Sequence, residues 1–216
     1  MSPNVSCIDG REKAEALADT VISTMELITS QVKETAHAAP KQEIESMLTL
    51  LRICKENGNS VFVAGAGRSG LMGRAFAMRL MHLGFKAYVV GETVTPAIRA
   101  RDVLIAISGS GSTKSVVIAA EKCKEVGAFI VALTSKAESV LGGLSSVNVV
   151  LPSKSNADKI DADKIDAASC GNSAQMLMGT GFEISTLVFA DALVLHLASI
   201  INVKESEMKE RHANTE

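Results

Sequence analysis

Two segments of this 216-residue sequence combine glycines with residue types that bind anions. V61-F-V-A-G-A-G-R-S-G70 carries G-x-G-x-x-G at the end of an apolar run, and I107-S-G-S-G-S-T113 places four hydroxyls and two glycines before a helical pattern. Backbone amides at a helix start bind phosphate, and hydroxyls can bond its oxygens. The segments therefore predict a phosphate site built from Arg68, Ser69, Ser108, Gly109, Ser110, Gly111, Ser112 and Thr113.

The first segment also fits a dinucleotide-binding turn. G-x-G-x-x-G between a strand and a helix, with Glu92 about twenty residues further on, matches the NAD pattern. A dinucleotide loop leaves bare glycine backbone for a long pyrophosphate, whereas here a second, hydroxyl-rich loop faces the same crevice. The second loop also lacks the G-K-[ST] end of a P-loop, so binding of nucleoside triphosphates is disfavoured as well. A phosphorylated polyol fits best, with an NAD-dependent oxidoreductase kept as an alternative.

Glu183 has two possible roles. T180-G-F-E183 is an S/T-x-x-E capping box, in which Glu183 would reach back to the Thr180 amide and only cap a helix. A carboxylate in a closed site could instead act as a general base. Spacing alone favours the cap.

The elements that must position these residues alternate along the chain. Apolar patterns predict helices at Glu12–Ala36, Glu43–Glu56, Leu71–Leu83, Thr113–Val126 and Glu138–Leu141, a long last helix within 182–203, and strands at Val61–Ala64, Lys86–Val90, Val103–Ile107, Phe129–Leu133 and Val147–Leu151. This order predicts a parallel sheet covered on both faces. We expect a single domain over 1–216, with residues 1–58 as an N-terminal helical extension packed on it.

Composition excludes several function classes. A net charge of −2, with six Lys or Arg against nine Asp or Glu in residues 1–60, opposes nucleic-acid and anionic-lipid binding. The apolar stretch 182–203 carries Glu183, Asp191 and His196, which predicts a buried helix of a soluble protein and no membrane span. Four scattered cysteines and the absence of a signal peptide indicate a cytoplasmic protein without disulfide or metal site.

The loop between the last strand and the last helix contains a short repeat, A157-D-K-I-D followed by A162-D-K-I-D. Five residues are too few for a solenoid unit, so we interpret the loop as a solvated surface insertion.

Several motifs in order resemble those of the 6-phospho-3-hexuloisomerases, a family of the sugar isomerase (SIS) domain superfamily. They are G65-A-G-R-S-G-L-M-G-R-A-F-A-M-R-L-M-H-L-G-F85, V89-V-G-E-T-V-T-P96, S108-G-S-G-S-T-K-S115, M178-G-T-G-F-E183 and R211-H-A-N214. The family usually has Pro where this chain has Leu177. The resemblance runs from about Val61 to the C-terminus.

The resemblance implies a flavodoxin-like three-layer sandwich around a five-stranded parallel sheet. It also implies a homotetramer that interconverts D-arabino-hex-3-ulose 6-phosphate and D-fructose 6-phosphate without cofactor or metal, in formaldehyde fixation by the ribulose monophosphate route or, in reverse, in pentose supply. Glu183 then becomes the expected base. His82 becomes a catalytic candidate that could reach a neighbouring subunit's site, and His212 a substrate-binding one. A non-catalytic SIS sensor of sugar phosphates is a further alternative.

Overall fold

A five-stranded parallel sheet forms the centre of the fold, in the order β2-β1-β3-β4-β5. The computed structural model describes residues 5–153 and 179–215, with side chains from Leu17 onward. The strands are β1 (Ser60–Gly65), β2 (Lys86–Val89), β3 (Val103–Ile107), β4 (Phe129–Thr134) and β5 (Val147–Val150). The middle strand β3 is buried throughout, as expected for a parallel strand covered on both faces.

Helices cover both faces of the sheet. They are α1 (Val5–Ala38), α2 (Lys41–Glu56), α3 (Gly67–His82), α4 (Lys114–Glu125), α5 (Val140–Leu144), α6 (Thr180–Ile200) and α7 (Glu205–Glu210). Side chains alternate along each strand, so Val61, Val63 and Ile105 pack with α2, α3 and α6. Phe62, Ala64 and Leu104 pack with α4 and α5 on the other face. The predicted three-layer α/β sandwich is confirmed.

Several helix boundaries differ from the sequence-based expectation: α1 begins at Val5, seven residues before the predicted Glu12, and α5 ends at Leu144, three residues after the predicted Leu141. α3 begins at Gly67, four residues before the predicted start. Its first turn contains two glycines, which have a low helix propensity, so the sequence pattern did not indicate a helix there. The short α7 near the C-terminus was not predicted. The duplicated A-D-K-I-D segment, Leu177 and Met178 lie outside the described residues.

α6 is only partly buried, so the expectation of a buried helix is wrong for its outer side. Its length and hydropathy would suffice to cross a membrane. Only 33% of its most apolar 18-residue window is buried inside this chain, so much apolar surface of α6 is left uncovered. Leu193 and Leu197 face the core, whereas Val188 and Leu195 are exposed. The reason is that α6 packs on the sheet with one side only, between α3 and α1.

Asp102 fixes the end of the sheet opposite the predicted site. Its buried carboxylate accepts hydrogen bonds from the backbone amides of Ser60 and Arg99, each at 2.8 Å. The bond to Ser60 ties the start of β1 to the residue that precedes β3, and the bond to Arg99 holds the turn that leads into β3.

Candidate active site

A crevice lies at the carboxyl ends of β1 and β3, where the connecting helices change from one face of the sheet to the other. These strands are neighbours, but α3 leaves β1 for one face and α4 leaves β3 for the other. Open α/β sheets bind ligands at such a switch point. Both predicted loops therefore meet at one edge, as the sequence indicated.

The first loop uses two of its glycines for its own packing. A Cβ on Gly65 would lie 2.9 Å from the Gly70 nitrogen, and one on Gly70 would lie 2.9 Å from the Gly65 carbonyl oxygen. Gly67 has φ +55° and opens α3, with Arg68 exposed and Ser69 half-buried beside it. The G-x-G-x-x-G spacing is thus explained by a tight strand-to-helix turn, without a pyrophosphate.

The second loop is held by its own hydroxyls. Ser108 is buried, and its Oγ lies 2.8 Å from Thr113 Oγ1 and accepts a bond from the Gly111 amide at 3.1 Å. Ser110 Oγ is exposed and accepts from the Ser112 amide at 3.3 Å and from Ser112 Oγ at 3.0 Å. Ser108 therefore shapes the turn, whereas Ser110, Ser112 and the start of α4 face the crevice.

A third loop, not predicted as part of the site, supports the second. Thr134 Oγ1 and Ser135 Oγ donate to the Gly109 carbonyl at 3.2 and 2.7 Å. Gly111 has φ +63°, and a Cβ there would clash with Ser139 Oγ, so the two loops are in close contact. The signal was available in the sequence, because the polar pair T134-S follows an apolar strand at the same sheet edge.

Glu183 extends from the first turn of α6 into the same crevice. Its Oε2 lies 2.9 Å from Arg68 Nε, and Arg68 Nη1 donates to Thr180 Oγ1 at 3.2 Å. The neighbouring Phe182 ring packs over Gly109, where a Cβ would come within 3.0 Å of it. Three loops and a helix start thereby bring Arg68, Glu183 and the hydroxyl loop together.

The capping box expected at Thr180 does not form. α6 begins at Thr180, the preceding residue Gly179 has φ 82°, and no side chain caps this end. The Glu183 amide donates to the Gly179 carbonyl at 3.1 Å, and its carboxylate turns to Arg68 instead. The left-handed Gly179 shifts the helix start by one residue, which removes Glu183 from the N3 position that a capping box requires.

The Glu183 carboxylate is suited to proton transfer by its surroundings. The side chain is 12% exposed, and apart from the Arg68 ion pair its Oε2 has no hydrogen-bond partner. Arg68 is 50% exposed, so the guanidinium can turn towards a ligand. A carboxylate with a free lone pair beside a mobile cation can take up a proton while the cation neutralises the anion that forms.

His82 and His212 are brought together, but far from Glu183 of their own chain. Their rings stack with centroids 5.2 Å apart, and Arg211 donates to the His82 carbonyl at 3.1 Å. His82 ends α3, whereas Arg68 lies in its first turn; a helix of 16 residues spans about 24 Å. Burial, and next the neighbouring His212 and Arg79, lower the pKa of His82 below its usual value. The site residues predicted from the sequence thus form two groups: Arg68, Glu183 and the second loop at the crevice, and His82 with His212 at the far end of α3.

Glu92, which the NAD pattern would assign to a ribose, forms an ion pair on the protein surface. Its carboxylate pairs with Arg74 at 2.6 Å, and both side chains are exposed. Within the residues that the structure describes, no group of three His, Cys, Asp or Glu side chains could hold a metal ion.

Known proteins resemble this chain over nearly its whole length. A model of the SIS domain family matches residues 53–179. An uncharacterized protein of Methanothermobacter thermautotrophicus is 44% identical over 88% of this chain and 94% of its own length. A 3-hexulose-6-phosphate isomerase of Mycobacterium gastri is 38% identical over 96% of both chains. A Methanococcus jannaschii crystal structure, from which 3-hexulose-6-phosphate isomerase function was inferred, superposes with a TM-score of 0.72 and 32% identity over 89% of this chain and 98% of its own.

Proposed function

Because the chain belongs to the SIS domain family and, within it, to the group of the 3-hexulose-6-phosphate isomerases, we propose that it interconverts D-arabino-hex-3-ulose 6-phosphate and D-fructose 6-phosphate. Its relatives make it a sugar phosphate isomerase; the particular substrate pair is the proposal. The observation that carries it is the Glu183 carboxylate beside Arg68, in one crevice with a hydroxyl-rich loop at a helix start.

The phosphate binds to the second loop. The first amides of α4 have no acceptor within the helix, and they point to the crevice together with the exposed Ser110 and Ser112 hydroxyls. Thr113 precedes the helix, and its hydroxyl shares a hydrogen bond with Ser108. Ser108, Gly109 and Gly111 give the loop its shape, and Ser69, half-buried in the first turn of α3, is the further phosphate ligand that we propose.

Glu183 carries the proton between two carbons. Moving the carbonyl from C3 to C2 requires removal of the C2 proton, a cis-enediolate, and return of the proton at C3. One carboxylate on one face of the enediolate can do both transfers. As the Glu183 carboxylate takes the proton, the Arg68 guanidinium leaves it. Arg68 then balances the negative charge of the enediolate. The 3-ketose has no hydroxyl placed to close a five- or six-membered ring, so no ring-opening acid is needed in that direction.

His82 and His212 complete the site of a neighbouring subunit in a homotetramer. His82 lies about 20 Å along α3 from Arg68, the partner of its own Glu183, and His212 stacks on His82, so another copy would have to bring the pair to the reacting sugar. The 216 residues act as one cytoplasmic domain, with 1–58 packed on it, in formaldehyde fixation or pentose supply. Neither a cofactor nor a metal takes part.

Incubation with fructose 6-phosphate in deuterated water tests the proposal. The isomerase exchanges the C3 proton for deuterium and forms the 3-ketose, which NMR detects in the same sample. Binding of fructose 6-phosphate without exchange would favour the non-catalytic sensor and refute the isomerase. Enhanced NADH fluorescence on mixing with the protein would instead support the oxidoreductase alternative.

A further inference from the structure

An apolar cavity of about 240 Å³ lies between α1, α2 and α6, with Leu151 in its wall. Three alanines also line it: Ala36 in α1, Ala39 directly after that helix, and Ala192 in α6. Their short side chains leave open a space that a close-packed interior normally fills. Among the described residues that line the cavity, none belongs to the two loops of the crevice. The cavity is therefore separate from the proposed substrate site.

Ser185 lines this cavity with a hydroxyl that the fold does not use. The residue is 3% exposed, and its Oγ has no hydrogen-bond partner among the described residues. Buried hydroxyls are normally hydrogen-bonded, because an unpaired one costs free energy. Thr35, the other buried hydroxyl in the wall, already lies 2.7 Å from the Pro152 carbonyl and 3.0 Å from the Gln31 carbonyl. Ser185 thus offers the cavity an unused donor and acceptor.

The size and the lining of the cavity define the class of molecule that fits. No Lys, Arg, Asp or Glu of the described chain lines it, so a phosphate or another ion would lose its hydration without a counter-charge. An apolar cavity of about 150 Å³ is large enough to bind benzene. This cavity, at about 240 Å³, therefore has room for one ring with a small substituent. A hydroxyl on that molecule can donate to Ser185 or accept from it.

We propose that this cavity binds a small neutral molecule made of one apolar ring, or a short chain of similar volume, and one hydroxyl group that bonds to Ser185 Oγ. Ser185 follows Glu183 by two residues in the first two turns of α6. The occupant therefore contacts the helix start that carries the proposed base without touching the substrate. This binding site is additional to the crevice and does not depend on the proposed reaction.

Fluorine NMR of para-fluorophenol and para-fluorotoluene mixed with the full chain tests the proposal. The two probes have nearly the same shape, but only the phenol carries a hydroxyl. We expect saturable binding of the phenol with a dissociation constant below about 1 mM. Ser185→Ala should weaken that binding about two- to tenfold, the effect of one neutral hydrogen bond, and leave binding of the toluene unchanged. Ser199→Ala is the matched control and should change neither, because Ser199 is an exposed serine of the same helix outside the cavity.

Ala192→Phe tests the location of the site independently. A phenyl ring at this position takes up space that the alanine leaves open, so binding of both probes should fall at least about tenfold. Both variants should fold, because Ser185 Oγ has no hydrogen bond to lose and Ala192 is exposed. Circular dichroism melts check this expectation.

Two results would overturn the inference. One is the absence of saturable binding of para-fluorophenol to the wild-type chain below about 1 mM. The other is an affinity for para-fluorophenol that stays unchanged in folded Ser185→Ala or in folded Ala192→Phe, because the probe would then bind elsewhere or without the hydroxyl contact. Deuterium exchange into fructose 6-phosphate is measured separately, so failure of this prediction leaves the isomerase proposal standing.

Discussion

Replacing Glu183 with Gln separates its chemical role from its structural one. Gln has the same size, so the change removes the carboxylate charge opposite Arg68 and little else. The structure limits the cost to stability, since no capping bond is lost and the Arg68 partner is 50% exposed. Partly exposed ion pairs contribute at most about 1 kcal/mol. For a chain of this length we expect a melting point lower by no more than about 2–4 °C.

The expected effect on catalysis is much larger. Loss of a positioned general base lowers turnover by about 10²–10⁴, or about 2.7–5.4 kcal/mol of barrier. Binding of fructose 6-phosphate should survive, because the phosphate is held by the second loop. The change should therefore lower kcat and leave the dissociation constant close to that of the wild type.

The assay is deuterium exchange at C3 of fructose 6-phosphate, followed by NMR, with calorimetry for binding and circular dichroism for melting. Glu92→Gln is a matched control, because Glu92 also pairs with an arginine, Arg74, in an ion pair whose two side chains are exposed. We expect wild-type exchange from this control. Near-normal exchange by Glu183→Gln, or an equal loss in Glu92→Gln, would refute the assignment of Glu183 as base.

Three further predictions address the phosphate loop, the sheet and the histidine pair. Ser110→Ala should weaken fructose 6-phosphate binding roughly ten- to a hundredfold, since a bond to a charged group contributes about 1.5–3 kcal/mol; unchanged affinity in calorimetry would remove Ser110 from the site. Asp102→Ala should lower the free energy of unfolding in urea by about 1–3 kcal/mol, because two partly buried amides lose their acceptor, while exchange by the folded enzyme persists. Burial keeps the folded-state pKa of His82 below its unfolded value of about 6.5, so the unfolded chain binds more protons and stability falls as pH drops below about 6.5. His82→Gln should flatten that loss between pH 7 and 5, and an equal slope in both proteins would contradict the burial effect.

The fold, and the placement of half of the candidate site at one sheet edge, could be predicted from local sequence patterns. Apolar runs located all five strands of the described sheet, and the two glycine-containing segments pointed to one sheet edge because parallel strands end together. Ser108 to Thr113 and Arg68 were predicted for the same reason. Each of these signals is contained within a few neighbouring residues.

The rest depended on distances that sequence spacing does not contain. Spacing alone had favoured a capping role for Glu183. The left-handed conformation of Gly179 moves the start of α6 to Thr180, so the capping box does not form. His82 matched a family motif, yet the length of α3 separates it from the crevice of its own chain. The exposure of Leu195 follows from one-sided packing of α6, which its uniformly apolar sequence concealed.

The hydrogen bonds inside the second loop determine which ligands it can distinguish. Ser110 Oγ already accepts two bonds from Ser112, and Ser108 Oγ accepts one from the Gly111 amide. The loop has used acceptor lone pairs internally, so what Ser110 and the start of α4 still offer to the crevice are protons. A phosphate has only acceptors at physiological charge, whereas a sugar hydroxyl or an ammonium group must also donate. If the loop binds a phosphate as proposed, the Ser110 hydroxyl and the amides at the start of α4 are the donors that meet its oxygens, whereas a sugar hydroxyl in the same place would find only Ser112 Oγ among these side chains as an exposed acceptor.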